Sequence, residues 1–301
     1  MSEQAIHNRC ITERILEPGR SEWALMGPAH AISGAGITIL ALGIAMNYAT
    51  EFLQYVLAGS TILGILFVAV STGASLVPDL DNSRSTVNSS LGFIGAALSS
   101  VFRFTSKFLQ STIRTKRDDK NPDPHRGFWH TLVGAVTLGA IAVGLSSISL
   151  KLFDMGELPV TLGGIFYFGI TATMLHLFLA GVAKKRIDKL KKIPVVGELV
   201  VLAISVVATA SMLFFAPEGS ALWLGVAIAL GCTIHILGDA LTTAGVPIFF
   251  PIVGIIRKKL WWKTRFAKFK ADDEGLNTGV RWVSILMIVT GIGFAVYALA
   301  F

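Results

Sequence analysis

Seven stretches of this chain, at about 31–49, 54–76, 131–152, 159–183, 195–216, 221–244 and 281–301, are apolar over nearly their whole length. Each approaches the roughly 20 residues that an α-helix needs to cross a bilayer. In a bilayer every backbone polar group must be satisfied internally, so such stretches can only be helices. With 53% hydrophobic and 15% charged residues, a soluble globule is excluded as a class. The expectation is an all-α, polytopic membrane helix bundle of about seven transmembrane helices, with interfacial amphipathic helices between them. The first 30 residues hold no apolar core of a signal peptide, and residues 1–26 are expected to be a polar tail ahead of one transmembrane domain, 27–301.

The net charge of +7 would suggest nucleic acid in a soluble protein, but here its distribution matters more. Threading seven spans places every Lys and Arg except Lys151 on one side, while Glu51, Asp154, Glu157 and Glu218 fall on the other. The basic side is then cytoplasmic, the C-terminus lies outside, and no nucleic-acid partner is expected. Two cysteines, Cys10 and Cys232, offer no disulfide framework.

Chemistry-bearing residues gather at the cytoplasmic ends of the spans. His235 and Asp239 are four apart, so a helix stacks them on one face, which Thr242 continues; Gly245 and Pro247 signal the helix end soon after. A His–Asp hydrogen bond at a helix end would read identically. After the second span, Leu76-Val-Pro-Asp-Leu-Asp81 carries Asp79 and Asp81, which in an extended segment point the same way and attract a cation. Before the third span, Asn121-Pro-Asp-Pro-His-Arg-Gly-Phe-Trp-His-Thr131 lets Gly127 bend His125 and His130 toward one point, with Arg126 between them suited to an anionic phosphate oxygen. His30 stands at the mouth of the first span. His176 lies two turns inside span four and reads as an interhelix hydrogen-bonder more than a ligand. Cys232 could ligate or simply pack, and Glu274 could ligate or cap. Residues 89–117 and 248–270 interleave aromatic and basic residues, as helices resting on the cytoplasmic leaflet do, and Arg114 to Lys120 reads as a solvated turn.

His30, Asp79, Asp81, His125, His130, His235 and Asp239 therefore share one membrane face. Imidazole and carboxylate together suit zinc or manganese, with magnesium a further candidate, and seven donors suggest more than one ion. Asp81, Arg126 and His130 are the expected catalytic residues.

The motifs Leu76–Asp81 with Ser85, His125–Thr131, and His235–Pro247 with Pro251, in this order, resemble the YdjM-like family of membrane-bound metal-dependent hydrolases, whose early His is matched by His30. The resemblance implies a multi-pass inner-membrane protein with metal-dependent hydrolase activity. It covers most of the chain except about 150–215, which reads as an inserted helix pair. The His-three-Asp spacing is also similar to that of zinc-dependent phospholipase C enzymes. The expected partners are membrane lipid and a lipid-like phosphoester substrate; a cation transporter or a metal-tied scaffold is the competing expectation.

Overall fold

The computed structural model describes residues 26–301 apart from most of 50–59, and 83–84, 119–124, 156–157, 191–193, 216–220, 268–273 and 301. The expectations for the N-terminal tail and Cys10 fall outside these residues. So do those for the side chains of Lys184–Lys192 and Glu274. The helices are α1 (Met26–Tyr48), α2 (Thr61–Ala74), α3 (Thr86–Ser90), α4 (Gly92–Thr112), α5 (Leu132–Ser146), α6 (Leu162–Leu190), α7 (Pro194–Phe215), α8 (Leu222–Ala240), α9 (Ile252–Arg257) and α10 (Glu274–Ala300). Two short 3-10 helices, Val77–Asp81 and Phe128–His130, lead out of α2 and into α5.

The protein is an all-α, multi-span bundle. Five helices among the described residues are long and apolar enough to cross a membrane: Pro28–Tyr48, Thr61–Asp81, Leu162–Val182, Leu222–Ala240 and Gly275–Ala298. The other two expected spans are shorter apolar helices, Leu132–Ser146 and Leu199–Phe214. The third expected span stops early because Lys151–Met155 turns into a strand, β1, that pairs antiparallel with β2 (Leu158–Thr161). This exposed hairpin was not expected; its register sets Asp154 opposite Pro159, and within β1 Lys151 Nζ lies 2.8 Å from Asp154.

The centre of the bundle is α2, packed on α1, α6 and α8, with α5 against α8. Leu63, Leu66, Val70 and Ala74 of α2 and Trp223, Leu224, Ala227 and Ile236 of α8 form the core. Within a membrane, close backbone approach replaces the hydrophobic effect as the source of helix association. On α1, Gly36 meets Ser284 of α10 and Gly43 meets Gly291, while a Cβ on Gly291 would lie 2.6 Å from the Ile39 carbonyl. Asn47 closes the same seam by donating to the carbonyl of Phe294 at 3.0 Å. Positions rise together on the two helices, so α1 and α10 run parallel.

The amphipathic helix α4 is built inside out. Phe93, Ile94, Val101, Phe104 and Phe108 are exposed, and Gly95, Ser99, Phe102, Ser106 and Gln110 are buried. Its small polar face meets the loop before α5: Ser106 Oγ accepts from Phe128 N (3.2 Å), and Trp129 Nε1 donates to the Phe102 carbonyl (3.1 Å). Among the described residues of the expected second interfacial helix, 248–270, only α9 is helical, because cross-links outside any helix shape the described remainder. Val246 bridges to Thr264, and Trp261 stacks on Phe250 at 4.3 Å. The turn after α4 is not simply solvated either. Asp118 is buried and accepts from the backbone N–H groups of Thr115 (2.7 Å), Leu260 (3.1 Å) and Trp261 (3.0 Å). Burial by itself would raise the Asp118 carboxyl pKa, but these hydrogen bonds hold it below its ordinary value.

The seam between α1 and α10 makes a specific prediction. Gly291→Leu should cost about 1–3 kcal/mol by overpacking, whereas Gly293→Leu, with nothing within 4 Å of its Cβ position, should change stability by less than about 0.5 kcal/mol. Unfolding midpoints of the two variants in detergent measure this, and equal effects would contradict the close approach.

Candidate metal centre

Four segments bring charged side chains to the end of the bundle where α8 stops. The 3-10 helix after α2 carries Asp79 and Asp81, with Pro78 at its start, where a missing N–H costs nothing. The segment is not extended, so the two carboxylates do not point the same way. Asp81 turns fully inward, while the Asp79 side chain remains 20% exposed. Each addresses a different part of the cluster.

On α8, His235 and Asp239 face inward as their spacing requires, both buried. The helix ends at Ala240, earlier than Gly245 and Pro247 suggested; Gly245, with φ of 64°, supplies a left-handed turn further along. His235 Nδ1 lies 2.8 Å from the carbonyl of Ser75. A carbonyl only accepts, so Nδ1 carries the proton and the Nε2 lone pair faces the site. From there Nε2 is 3.6 Å from Asp79 Oδ1 and 3.7 Å from Asp239 Oδ2. His30 of α1 stacks on His235 with ring centroids 4.1 Å apart and brings Nε2 to 3.6 Å from Asp239 Oδ1. Gly238 makes room for it, since a Cβ there would sit 2.9 Å from His30 Cε1.

The loop before α5 supplies the remaining residues. His130 is fully buried; its Nε2 lies 3.5 Å from Asp239 Oδ2 and 4.0 Å from Asp79 Oδ1, and its Nδ1 lies 3.4 Å from Asp81 Oδ2. His125 Nδ1 donates to Asp81 Oδ1 at 2.7 Å. Burial would lower the His125 pKa, but the hydrogen bond and the charge of Asp81, aided by Asp79, raise it above its ordinary value. Gly127 is needed less for bending than for room, because a Cβ would collide with Gln110 and Ser106 of α4. The left-handed residue is Arg126, with φ of 58°, a conformation costing about 1–3 kcal/mol that its surroundings must impose. Its guanidinium straddles Asp239, with Nε 3.1 Å from Oδ2 and Nη2 3.3 Å from Oδ1, while Nη1 donates to Thr242 Oγ1 at 3.0 Å. Its backbone N–H donates to Asp81 Oδ2 at 3.2 Å.

All seven expected ligands thus meet, and three overlapping donor groups result: His30, His235 and Asp239; Asp79, His130 and His235; Asp81, His125 and His130. His176 stands apart, 3.0 Å from the Ser90 carbonyl, joining α6 to α3. Cys232 also stands apart, its Sγ on the Ala74 carbonyl at 3.5 Å. His130 Nε2 and His235 Nε2 are buried without a hydrogen-bond partner, and Asp239 Oδ2, held by Arg126 Nε, faces both of them. Leaving such atoms unsatisfied costs about 1–3 kcal/mol each, more for charged groups. A divalent cation satisfies imidazole lone pairs and carboxylate oxygens together, so the residues fit a metal. Sequence reasoning missed the Ser75 carbonyl and Gly238; the glycine, between His235 and Asp239 on the same helix, was the available signal.

His235→Ala and Asp239→Asn should each lower bound divalent metal by about tenfold or more with membrane insertion unchanged, since the apolar spans drive insertion. Metal analysis of purified protein checks this, and full occupancy in the double variant would show a purely structural His–Asp pair.

Comparison with curated proteins and with solved structures finds no match. The model of the YdjM inner membrane protein family matches residues 25–184 and 199–301. That span includes all seven clustered residues and, within α6 and α7, much of the region expected to be an insertion. Family membership and the His/Asp cluster together support a metal-dependent hydrolase activity. Multi-pass, and matched by that family along most of its length, this chain belongs to the YdjM inner membrane protein family.

Proposed function

We propose that this protein hydrolyses a phosphoester of a lipid or lipid-like substrate at the cytoplasmic leaflet, using divalent metal held among its clustered His and Asp residues. The observation that carries this reading is the buried cluster of His130, His235 and Asp239, in which both imidazole Nε2 atoms lack a hydrogen-bond partner, beside the partly exposed side chains of Asp79 and His125. Zinc suits the mixed imidazole and carboxylate donors best, with manganese next and the oxygen-preferring magnesium third. When bound, such an ion supplies Lewis-acid polarisation of a phosphoryl oxygen and acidifies water at neutral pH.

The chain's own residues supply the remainder. Asp81 and the Ser75 carbonyl orient the imidazoles of His130 and His235. Arg126 neutralises and positions Asp239; for it to meet a phosphate oxygen as well, it would have to loosen its hold on Asp239 and Thr242. The exposed aromatic face of α4, with Arg103 and Lys107 on the same helix, suits insertion among lipid headgroups beside the site. The parallel α1 and α10 support an odd count such as seven crossings, with the shorter helices α5 and α7 included, and the basic loops support a cytoplasmic side for the site. The donors lie where α8 ends, whereas transporter ligands gather near the bilayer midplane.

Metal-loaded protein in mixed vesicles should release phosphate or a phosphorylated headgroup. The activity should vanish on chelation, return with zinc or manganese, and fall about 10–100-fold in Asp81→Asn. A loaded protein that hydrolyses no phosphoester, lipid or soluble, yet carries the ion across liposomes in a His235-dependent way, would replace this reading with transport.

A further inference from the structure

Seven potential ligands are more than one ion takes, and by number alone they suggest two. We infer from the geometry that the site keeps a single resident divalent ion on Asp79, His130, His235 and Asp239. Asp81 is a positioning residue that orients His130 and His125, and not a ligand. The inference deepens the hydrolase reading and rests on it only in taking the cluster as a metal centre.

The donor atoms separate into two sets. Asp239 Oδ2 is 3.5 Å from His130 Nε2 and 3.7 Å from His235 Nε2, and Asp79 Oδ1 is 3.6 Å from His235 Nε2 and 4.0 Å from His130 Nε2. In a tetrahedral site with ion–donor distances of about 2.0–2.1 Å, neighbouring donors are separated by about 3.3 Å, so each of these four carboxylate–imidazole pairs needs to close in by less than about 1 Å. Asp81 meets His130 at its other nitrogen, with Oδ2 3.4 Å from Nδ1. The two nitrogens of an imidazole point away from each other, which puts Asp81 behind the ring. That is the arrangement in which a carboxylate fixes a metal-binding histidine's tautomer and orientation. His235 has the same support from the Ser75 carbonyl at 2.8 Å. Both oxygens of Asp81 are also in use, Oδ1 by His125 Nδ1 at 2.7 Å and Oδ2 by the Arg126 backbone N–H at 3.2 Å.

Charge leads to the same count. Asp79, Asp81 and Asp239 face one guanidinium, that of Arg126, and an imidazole that binds a metal does so uncharged. Two negative charges are left over, and one divalent ion cancels them. A second ion would leave a comparable excess of positive charge on side chains that are 0–6% exposed except at the Asp79 and His125 rim, a costly state in a low-dielectric interior.

The test is the number of ions per chain and their affinity, read without activity. Wild-type protein, Asp81→Asn and His125→Gln are saturated with zinc or cobalt, desalted, and analysed for metal, with affinity taken from chelator competition. One ion per chain in all three, bound about 10–100-fold more weakly in Asp81→Asn with the cobalt absorption spectrum retained, is the expected result. His125→Gln keeps the test decisive if Asp81→Asn does not fold. Two ions in wild type, or an ion missing at saturation from either variant, overturns the assignment and leaves the metal-dependent hydrolase standing. A wild-type chain that takes up no ion removes the metal reading itself, and this assignment with it.

Discussion

The carboxylate of Asp239 is the point on which the rest of this end of the bundle depends. It is buried at the last turn of an apolar helix, where an isolated charge would cost several kcal/mol. Two other segments answer that charge: α1 with His30, and the loop entering α5 with Arg126 and His130. Asp79 and Asp81, arriving from the end of α2, then add negative charge that Arg126 alone does not balance. The fold therefore concentrates an excess of negative charge and unpartnered lone pairs in one small volume. A bound cation resolves both, which is why the electrostatics and the chemistry of the site are one problem.

The same constraint explains the inside-out helix α4. A loop that must place Arg126 in a left-handed conformation and bury His130 needs a rigid wall on its outer side. Ser106 and Gln110 provide it with small or polar groups that the loop backbone can approach through Gly127. Phe93, Phe104 and Phe108 of α4 are thereby left facing outward. Asp118 then locks the end of α4 to the segment around Trp261, so that the loop, α4 and the α9 region share hydrogen bonds.

Much of this was legible in the sequence. His235 and Asp239 read correctly because helical spacing is a local rule, and His125 and His130 because a compact loop limits where its side chains can go. All seven marked residues converge. What escaped was non-local. Arg126 reads as a free phosphate clamp until its partner, 113 positions later in the chain, is brought beside it. The mutual orientation of Asp79 and Asp81 was misread because Pro78 starts a 3-10 turn as readily as it ends a helix. The hairpin at β1 and β2 lay hidden in a run of apolar residues that continues a span by composition alone, and the 248–270 segment reads as a helix until Trp261 is seen to pack inward.

X-ray absorption at the edge of the metal retained by the purified protein tests the central claim most directly. The account predicts a first shell of nitrogen and oxygen only, with the outer-shell scattering of two imidazole rings, and no sulfur, because Cys232 Sγ faces the Ala74 carbonyl one turn away. A sulfur scatterer in the first shell, or no imidazole signature around the bound ion, would contradict it.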